Sequence, residues 1–224
     1  VIILGLTGSI GMGKSTTADL CRQAGLPVYD ADQAVHDLYA PGGAAVNDVE
    51  AAFPGVAPQG GVDRGLLSQR LIDDPSGFSR LEAIVYPLLR VQRDAFVIAH
   101  AAADVVVFDI PLLFETGGEA QVDAVMVVTA PPQVQIARVM ARPGMDEAKL
   151  KALLARQISD AEKRARADFV VYTDQGLTAA AQQLALILQT IRAPDWRPAP
   201  PPGERRRENP LRPHLDARAE PRQV

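Results

Sequence analysis

At 224 residues the chain is long enough to bury a sizeable core, and it fits one compact α/β domain with inserted lobes better than several independent domains. Aromatic residues are 5% of the total, too few for a stacking surface for single-stranded nucleic acid, and 23 Lys+Arg against 27 Asp+Glu give a net charge of −4, which argues against a broad DNA-binding face. A single cysteine, Cys21, excludes an intrachain disulfide framework and a cysteine-rich zinc site, and His36, His100 and His214 are too scattered to suggest a metal cluster.

The start, Val1-Ile2-Ile3-Leu4, has no basic segment ahead of it and runs into a glycine-rich turn, so Ile2–Leu6 is predicted as a buried strand and not as a signal peptide. Lys14–Ala24 carries apolar residues at helical spacing (Ala18, Leu20, Cys21, Ala24) and stops at Gly25. A second short strand is predicted over Leu26–Tyr29. The β-branched runs Val105–Asp109 and Ala124–Val128 read as central strands buried on both faces, and Phe169–Tyr172 as a fifth. Helices are predicted at about 31–40, 44–53, 64–73, 76–85, 87–102, 131–142, 146–165 and 177–192, with Pro87 dividing the fourth from the fifth because it lacks an N–H but suits a first helical turn. Strands separated by helices imply a parallel sheet covered on both faces. The most apolar later stretch, Ala95–Phe108, is broken by His100 and Asp104 and is too short to span a bilayer, so no membrane association and a cytoplasmic location are expected.

Composition changes at Arg192. From Ala193 to Val224 there are eight prolines, and seven arginines against five acidic residues give +2, leaving −6 on residues 1–192. Such a segment buries too little apolar surface to offset the entropy of ordering it, so 193–224 is expected to be a Pro/Arg-rich, disordered tail. Arg205-Arg206-Arg207 reads as a solvated charge run before it reads as an anion site.

Gly8-Ser9-Ile10-Gly11-Met12-Gly13-Lys14-Ser15 matches G-x-x-x-x-G-K-[ST] without a mismatch, between a predicted strand and an amphipathic helix. Gly8, Gly11 and Gly13 let the backbone turn so that successive N–H groups, Met12 included, make an anion nest at a helix N-terminus that continues through Ser15 and Thr16. Lys14 adds a cation for the β- and γ-phosphates, and the Ser15 hydroxyl can ligate Mg²⁺. The pattern predicts nucleoside triphosphate binding. No Asn/Thr-Lys-x-Asp segment of a GTPase follows, and no Leu-Ser-Gly-Gly-Gln signature of a transporter ATPase.

Three further groups point to phosphoryl transfer. Asp30-Ala31-Asp32 follows the second predicted strand, at the carboxyl edge where parallel sheets bind ligands, and Asp32 could take a hydroxyl proton while Asp30 caps a helix. Asp109 ends a hydrophobic strand, a usual place for a residue serving Mg²⁺, and Glu115 shortly beyond it could face an acceptor. Arg138 and Arg142, four apart, share a helix face and could stabilise charge on the transferred group from a closing segment that excludes water. Arg156 follows behind them. Ion pairing to Asp146, Glu147, Asp160 and Glu162 is expected to occupy most of the other cations in this stretch.

With these residues in place the chain resembles the dephospho-coenzyme A kinase family over about residues 2–190. The resemblance rests on Gly5 through Thr16, Asp30-Ala31-Asp32, Asp63-Arg64, Leu81-Glu82 before Tyr86-Pro87, Asp109-Ile110-Pro111-Leu112-Leu113-Phe114-Glu115, the Arg138–Arg142 segment, Arg156-Gln157, Glu162-Lys163-Arg164-Ala165 and Ala167-Asp168. It implies a three-layer phosphate-loop fold with five parallel strands in the order 2-3-1-4-5, a kinase domain over 1–192, an acceptor-binding helical lobe at 31–100 and a lid at 138–166. It implies ATP as phosphoryl donor with Mg²⁺, dephospho-CoA as acceptor at its ribose 3′-hydroxyl, and no nucleic-acid partner for the core, with a monomer favoured. Asp32 would be the base; Lys14, Arg142 and Arg138 would stabilise charge; Asp32, Arg64, Tyr86, Pro87 and Glu115 would meet the acceptor; Ser15 and Asp109 would serve the metal. The family usually has His-Pro where this chain has Tyr86-Pro87, and tyrosine cannot carry a positive charge there. The tail lies outside the resemblance, and its removal is expected to leave catalysis intact. A kinase for another hydroxyl acceptor, such as a nucleoside monophosphate or sugar acid, and an ATP-dependent binding switch remain as alternatives.

Overall fold

The structure, a computed structural model, describes residues 1–198. Its centre is a five-stranded sheet of β1 (Ile2–Thr7), β2 (Val28–Asp30), β3 (Val105–Asp109), β4 (Ala124–Thr129) and β5 (Phe169–Tyr172) in the order β2-β3-β1-β4-β5. The β1–β3, β1–β4 and β4–β5 pairs are parallel, with Leu6 level with Asp109 and Leu4 level with Ala124. The Val107 N–H donates to Pro27 O at 2.8 Å beside the start of β2.

The chain divides into two compact units, Tyr29–Ala103 with Val1, and Ile2–Val28 with the described chain from Asp104 onward. In the second unit the two-residue alternation of each strand sorts side chains between two cores. Leu4, Leu6, Val105, Val107, Ala124, Met126 and Val128 join Ala18 and Cys21 of α1 (Lys14–Gln23) and Leu184, Ile187, Leu188 and Ile191 of α9 (Leu177–Ile191). Val125 and Val127 pack with Leu113, Phe114 and Ala167. Burial on both faces is why β3 and β4 read as unbroken apolar runs. The remaining helices here are α6 (Pro132–Met140), α7 (Glu147–Leu154) and α8 (Asp160–Arg166), with a 3-10 turn at Gly118–Gln121.

The first unit holds α2 (Ala31–Tyr39), α3 (Val46–Ala52), α4 (Arg64–Asp73) and α5 (Gly77–Ala99) around Leu38, Val49, Phe53, Val56, Leu67, Leu71 and Val85. Asp30 caps α2 by accepting from Gln33 N at 3.0 Å, and Asp63 caps α4 by accepting from Gly65 and Leu66 N–H at 2.8 and 3.0 Å.

Three expectations are corrected. Pro87 does not divide two helices: α5 runs through it for 23 residues. The interior proline costs roughly 3 kcal/mol, but Leu81, Ile84 and Val85 before it and Leu88 and Leu89 after it pack on one core, which holds the helix in register across it. The single helix predicted at 146–165 is two, α7 and α8, because Ser159 adopts an extended conformation and its hydroxyl accepts from Glu162 N at 3.1 Å, starting a new helix. Packing also continues past Arg192. Trp196 lies against the α9 core, and its N–H donates to Ala193 O. The greater part of the expected tail, residues 199–224 with Arg205–Arg207, lies outside the described residues.

Candidate functional site

The turn between β1 and α1 is built with its carbonyls bonded outward. Gln135 Nε2 donates to Ile10 O at 2.8 Å, Arg138 Nη1 to Gly11 O at 3.4 Å, and Thr173 Oγ1 to Met12 O at 2.8 Å. Because each peptide is planar and trans, the N–H groups of Gly11 and Gly13 point away from the carbonyls of Ile10 and Met12, to the other side of the loop. Arg138 is itself fixed by Thr173, with 2.8 Å to Oγ1 and 2.7 Å to the carbonyl. Gly13, with φ +93°, precedes α1 at its N-cap position and no side chain caps the helix, so its first-turn N–H groups and the positive end of its dipole face the same turn. Gly8 is required by space: a Cβ there would sit 2.8 Å from Val128 O, a backbone atom. The N–H groups of Gly11 and Gly13 and those of the first turn of α1 thus share one side of the turn, an arrangement suited to phosphate oxygens.

Lys14, the first residue of α1, reaches back to the sheet. Its Nζ lies 2.7 Å from Oδ1 of the buried Asp109 at the end of β3. Ser15 and Thr16 are exposed beside it. The loop glycines, Met12, Lys14, Ser15, Thr16, Asp109 and Arg138 lie in one unit; the Met12 N–H, expected in the nest, instead donates to Ser9 O at 3.1 Å, and its side chain is buried. Cys21 lies beneath them on α1; burial first and the Asp109 charge second push its thiol up to about 12.

Two predicted residues sit differently from their sequence expectation. Arg138 holds the loop from outside, through Gly11 and Thr173. Glu115 is engaged within its own unit: it accepts from Ile158 N at 3.0 Å and pairs with the wholly buried Lys163 at 2.7 Å. Among the described residues, Arg142, Lys151 and Arg156 are the cations of the 138–166 segment without a side-chain partner. Lys149 pairs with Asp146, Arg164 with Asp160, and Arg166 with Glu119 and Glu162 while stacking on Phe114. The expected ion pairing thus accounts for most of the stretch and leaves Arg142 and Arg156 exposed.

In the first unit Asp32 lies exposed in the first turn of α2, beside the capping Asp30. Arg64 opens α4, its guanidinium 5.7 Å from the centre of the Tyr39 ring. Tyr86 and Pro87 are on the exposed side of α5, where the Tyr86 hydroxyl donates to Glu82 at 3.1 Å. Burial, then the Glu82 contact, raises the phenol above its ordinary 10.0, so Tyr86 stays neutral at physiological pH. Asp32, Arg64 and Tyr86 share no hydrogen bond or ion pair among the described residues.

Sequence reasoning missed Gln135 and Thr173, and it named Lys163 without foreseeing its burial against Glu115. The first two act on the loop from more than 120 residues away, and no local pattern marks them. Lys163 reads as one more surface cation in a charged stretch.

A parallel sheet in this order, with a triphosphate cradle after its central strand and a lysine tied to an acidic strand end, defines a phosphate-loop kinase. The dephospho-CoA kinase family (CoaE) matches residues 2–179. A Bradyrhizobium diazoefficiens protein named dephospho-CoA kinase is 58% identical over 191 residues, 84% of this chain and 95% of that protein. One from Mesorhizobium japonicum is 54% identical over 194 residues, 86% and 98% of the two chains. The crystal structure of TT1252 from Thermus thermophilus superposes with a TM-score of 0.75 at 32% identity, covering 86% of this chain and 98% of that one. The chain belongs to the dephospho-CoA kinase family, and it is accordingly an ATP-dependent kinase that phosphorylates an alcohol group.

Proposed function

We propose that the chain transfers the γ-phosphoryl group of ATP to the ribose 3′-hydroxyl of dephospho-CoA, giving coenzyme A and ADP. The observation that carries this reading is the outward-bonded loop with its Lys14–Asp109 pair, in a chain matched to that family along most of its length.

The N–H groups of Gly11, Gly13 and the first turn of α1, with Lys14, hold the β- and γ-phosphates and draw charge toward the leaving oxygen. Asp32 accepts the 3′-hydroxyl proton as that oxygen bonds to the γ-phosphorus and the bond to the ADP oxygen breaks. Arg142, free of partners among the described residues, stabilises the charge on the transferred group, and Arg138 keeps the loop in shape. Arg64, Tyr86 and Pro87 belong to the acceptor-binding unit, within 31–100, and the 138–166 segment acts as the lid. Ser15 and Asp109 would hold Mg²⁺, which when bound would supply positive charge to neutralise the phosphates. Glu115 is assigned to anchoring the lid segment through Ile158.

The test is an ADP-release assay with ATP, Mg²⁺ and a panel of acceptors, followed by mass spectrometry of the products. Dephospho-CoA should be the best acceptor and gain one phosphoryl mass. Turnover confined to a nucleoside monophosphate or a sugar acid would overturn the assignment.

A further inference from the structure

Ile10, in the middle of the phosphate loop, has both of its backbone polar groups held by glutamine side chains. Its carbonyl accepts from Gln135 Nε2 at 2.8 Å, and its N–H donates to Gln157 Oε1 at 3.2 Å. The Met12 N–H donates to Ser9 O at 3.1 Å, so Ile10 and Gly11 form the centre of a tight turn. Gln135 is a buried residue of α6, and Gln157 sits in the link between α7 and α8.

The two glutamines bracket the stretch that carries Arg138, Arg142, Lys149, Lys151 and Arg156. That stretch leaves the loop at Gln135 and returns to it at Gln157, the residue after Arg156. The return point is anchored a second time, since Ile158 N–H donates to Glu115, whose charge is met by the buried Lys163. Side chains needed only to fill space between helices would not have to place one amide oxygen on the loop N–H and another residue's amide nitrogen on the same residue's carbonyl.

We propose that Gln135 and Gln157 are paired positioning residues that clamp Ile10 and so link the shape of the phosphate loop to the placement of the cationic segment 136–156. The proposal rests on the reading of the loop as a triphosphate cradle. When phosphate binds, any shift of the turn at Ile10–Gly11 is carried by the clamp to the segment that bears Arg142 and Arg156, and the segment settles over the donor. Linkage makes the effect reciprocal: freeing the segment from Ile10 weakens ATP.

Gln157→Met keeps the chain length and removes the acceptor, and Gln135→Met removes the donor on the other side. ATP affinity measured by calorimetry with no acceptor present reads the donor side alone, the loop together with the segment. Each variant is expected to raise the ATP Kd roughly tenfold, the scale of one lost hydrogen bond in a partly buried site. The double variant should lose less than the product of the two, because both bonds act on one residue. Hydrogen exchange at 141–157 should slow on ATP addition in the wild type and fail to slow in Gln157→Met saturated with ATP, while the melting temperature changes little. Wild-type affinity together with ATP-dependent protection in Gln157→Met would overturn the proposal. So would independent losses that track a falling melting temperature, the signature of ordinary destabilisation. A wild-type protein that does not bind ATP would instead remove the reading of the loop on which the clamp depends.

Discussion

Lys14 Nζ and Asp109 Oδ1 are 2.7 Å apart, joining the first residue of α1 to the last residue of β3. The pair ties the phosphate loop to the acidic strand end, and Asp109 is the carboxylate proposed above to serve Mg²⁺. Asp109→Asn should therefore leave the fold in place but lower kcat by roughly 10²–10³, the cost of losing about 3–4 kcal/mol of charge stabilisation. The Mg²⁺ concentration giving half-maximal rate should rise with it. Steady-state rates across a Mg²⁺ titration check this, and an unchanged Mg²⁺ dependence would take Asp109 out of the metal site.

Lys163 has no solvent exposure, and Glu115 Oε1 lies 2.7 Å from its ammonium. Removing one member strands the other charge inside the protein. Lys163→Met should cost about 3–5 kcal/mol, and the double variant Lys163→Met/Glu115→Gln should recover most of that loss. Urea unfolding followed by circular dichroism measures both. Equal losses in the single and double variants would show that the pair is not what the site depends on.

Cys21 gives a pH prediction. Its thiol is raised in the folded state from the usual 9.0 to about 12, chiefly by burial. Between those values the unfolded chain has released the proton and the folded chain has kept it, so this thiol's contribution to stability is full below pH 9 and falls as pH rises toward 12. In the folded protein Cys21 should resist alkylation at pH 8 and become reactive on unfolding. Alkylation followed by mass spectrometry, with and without denaturant, tests this. Rapid labelling of the native protein would contradict it.

Much of the architecture could be read from local chemistry. Val105–Asp109 and Ala124–Thr129 are buried on both faces and show it as valine-rich, nearly continuous apolar runs, and the phosphate loop is a contiguous pattern whose glycines have separate geometric reasons. The misreadings have physical causes. Pro87 breaks a local rule that the shared core on either side of it overrides. The break before α8 did have a sequence signal, Ser159-Asp160-Ala161-Glu162, a cap spacing masked by the surrounding helix-favouring residues. Of the supports of the loop, only Gln157 fell in a motif, Arg156-Gln157, and nothing in that motif signalled its bond to Ile10. Gln135, Gln157 and Thr173 matter through bonds to residues 10–12, and a glutamine or threonine in isolation looks the same whether it faces water or a backbone carbonyl.

The chemical account depends most on Asp32 as the proton acceptor, and single-turnover phosphorylation of dephospho-CoA by Asp32→Asn, measured alongside ATP affinity, tests it most directly. The variant should bind ATP as the wild type does and form coenzyme A at least about 10²-fold more slowly, the usual contribution of a positioned base. Coenzyme A formation at close to the wild-type rate would contradict it.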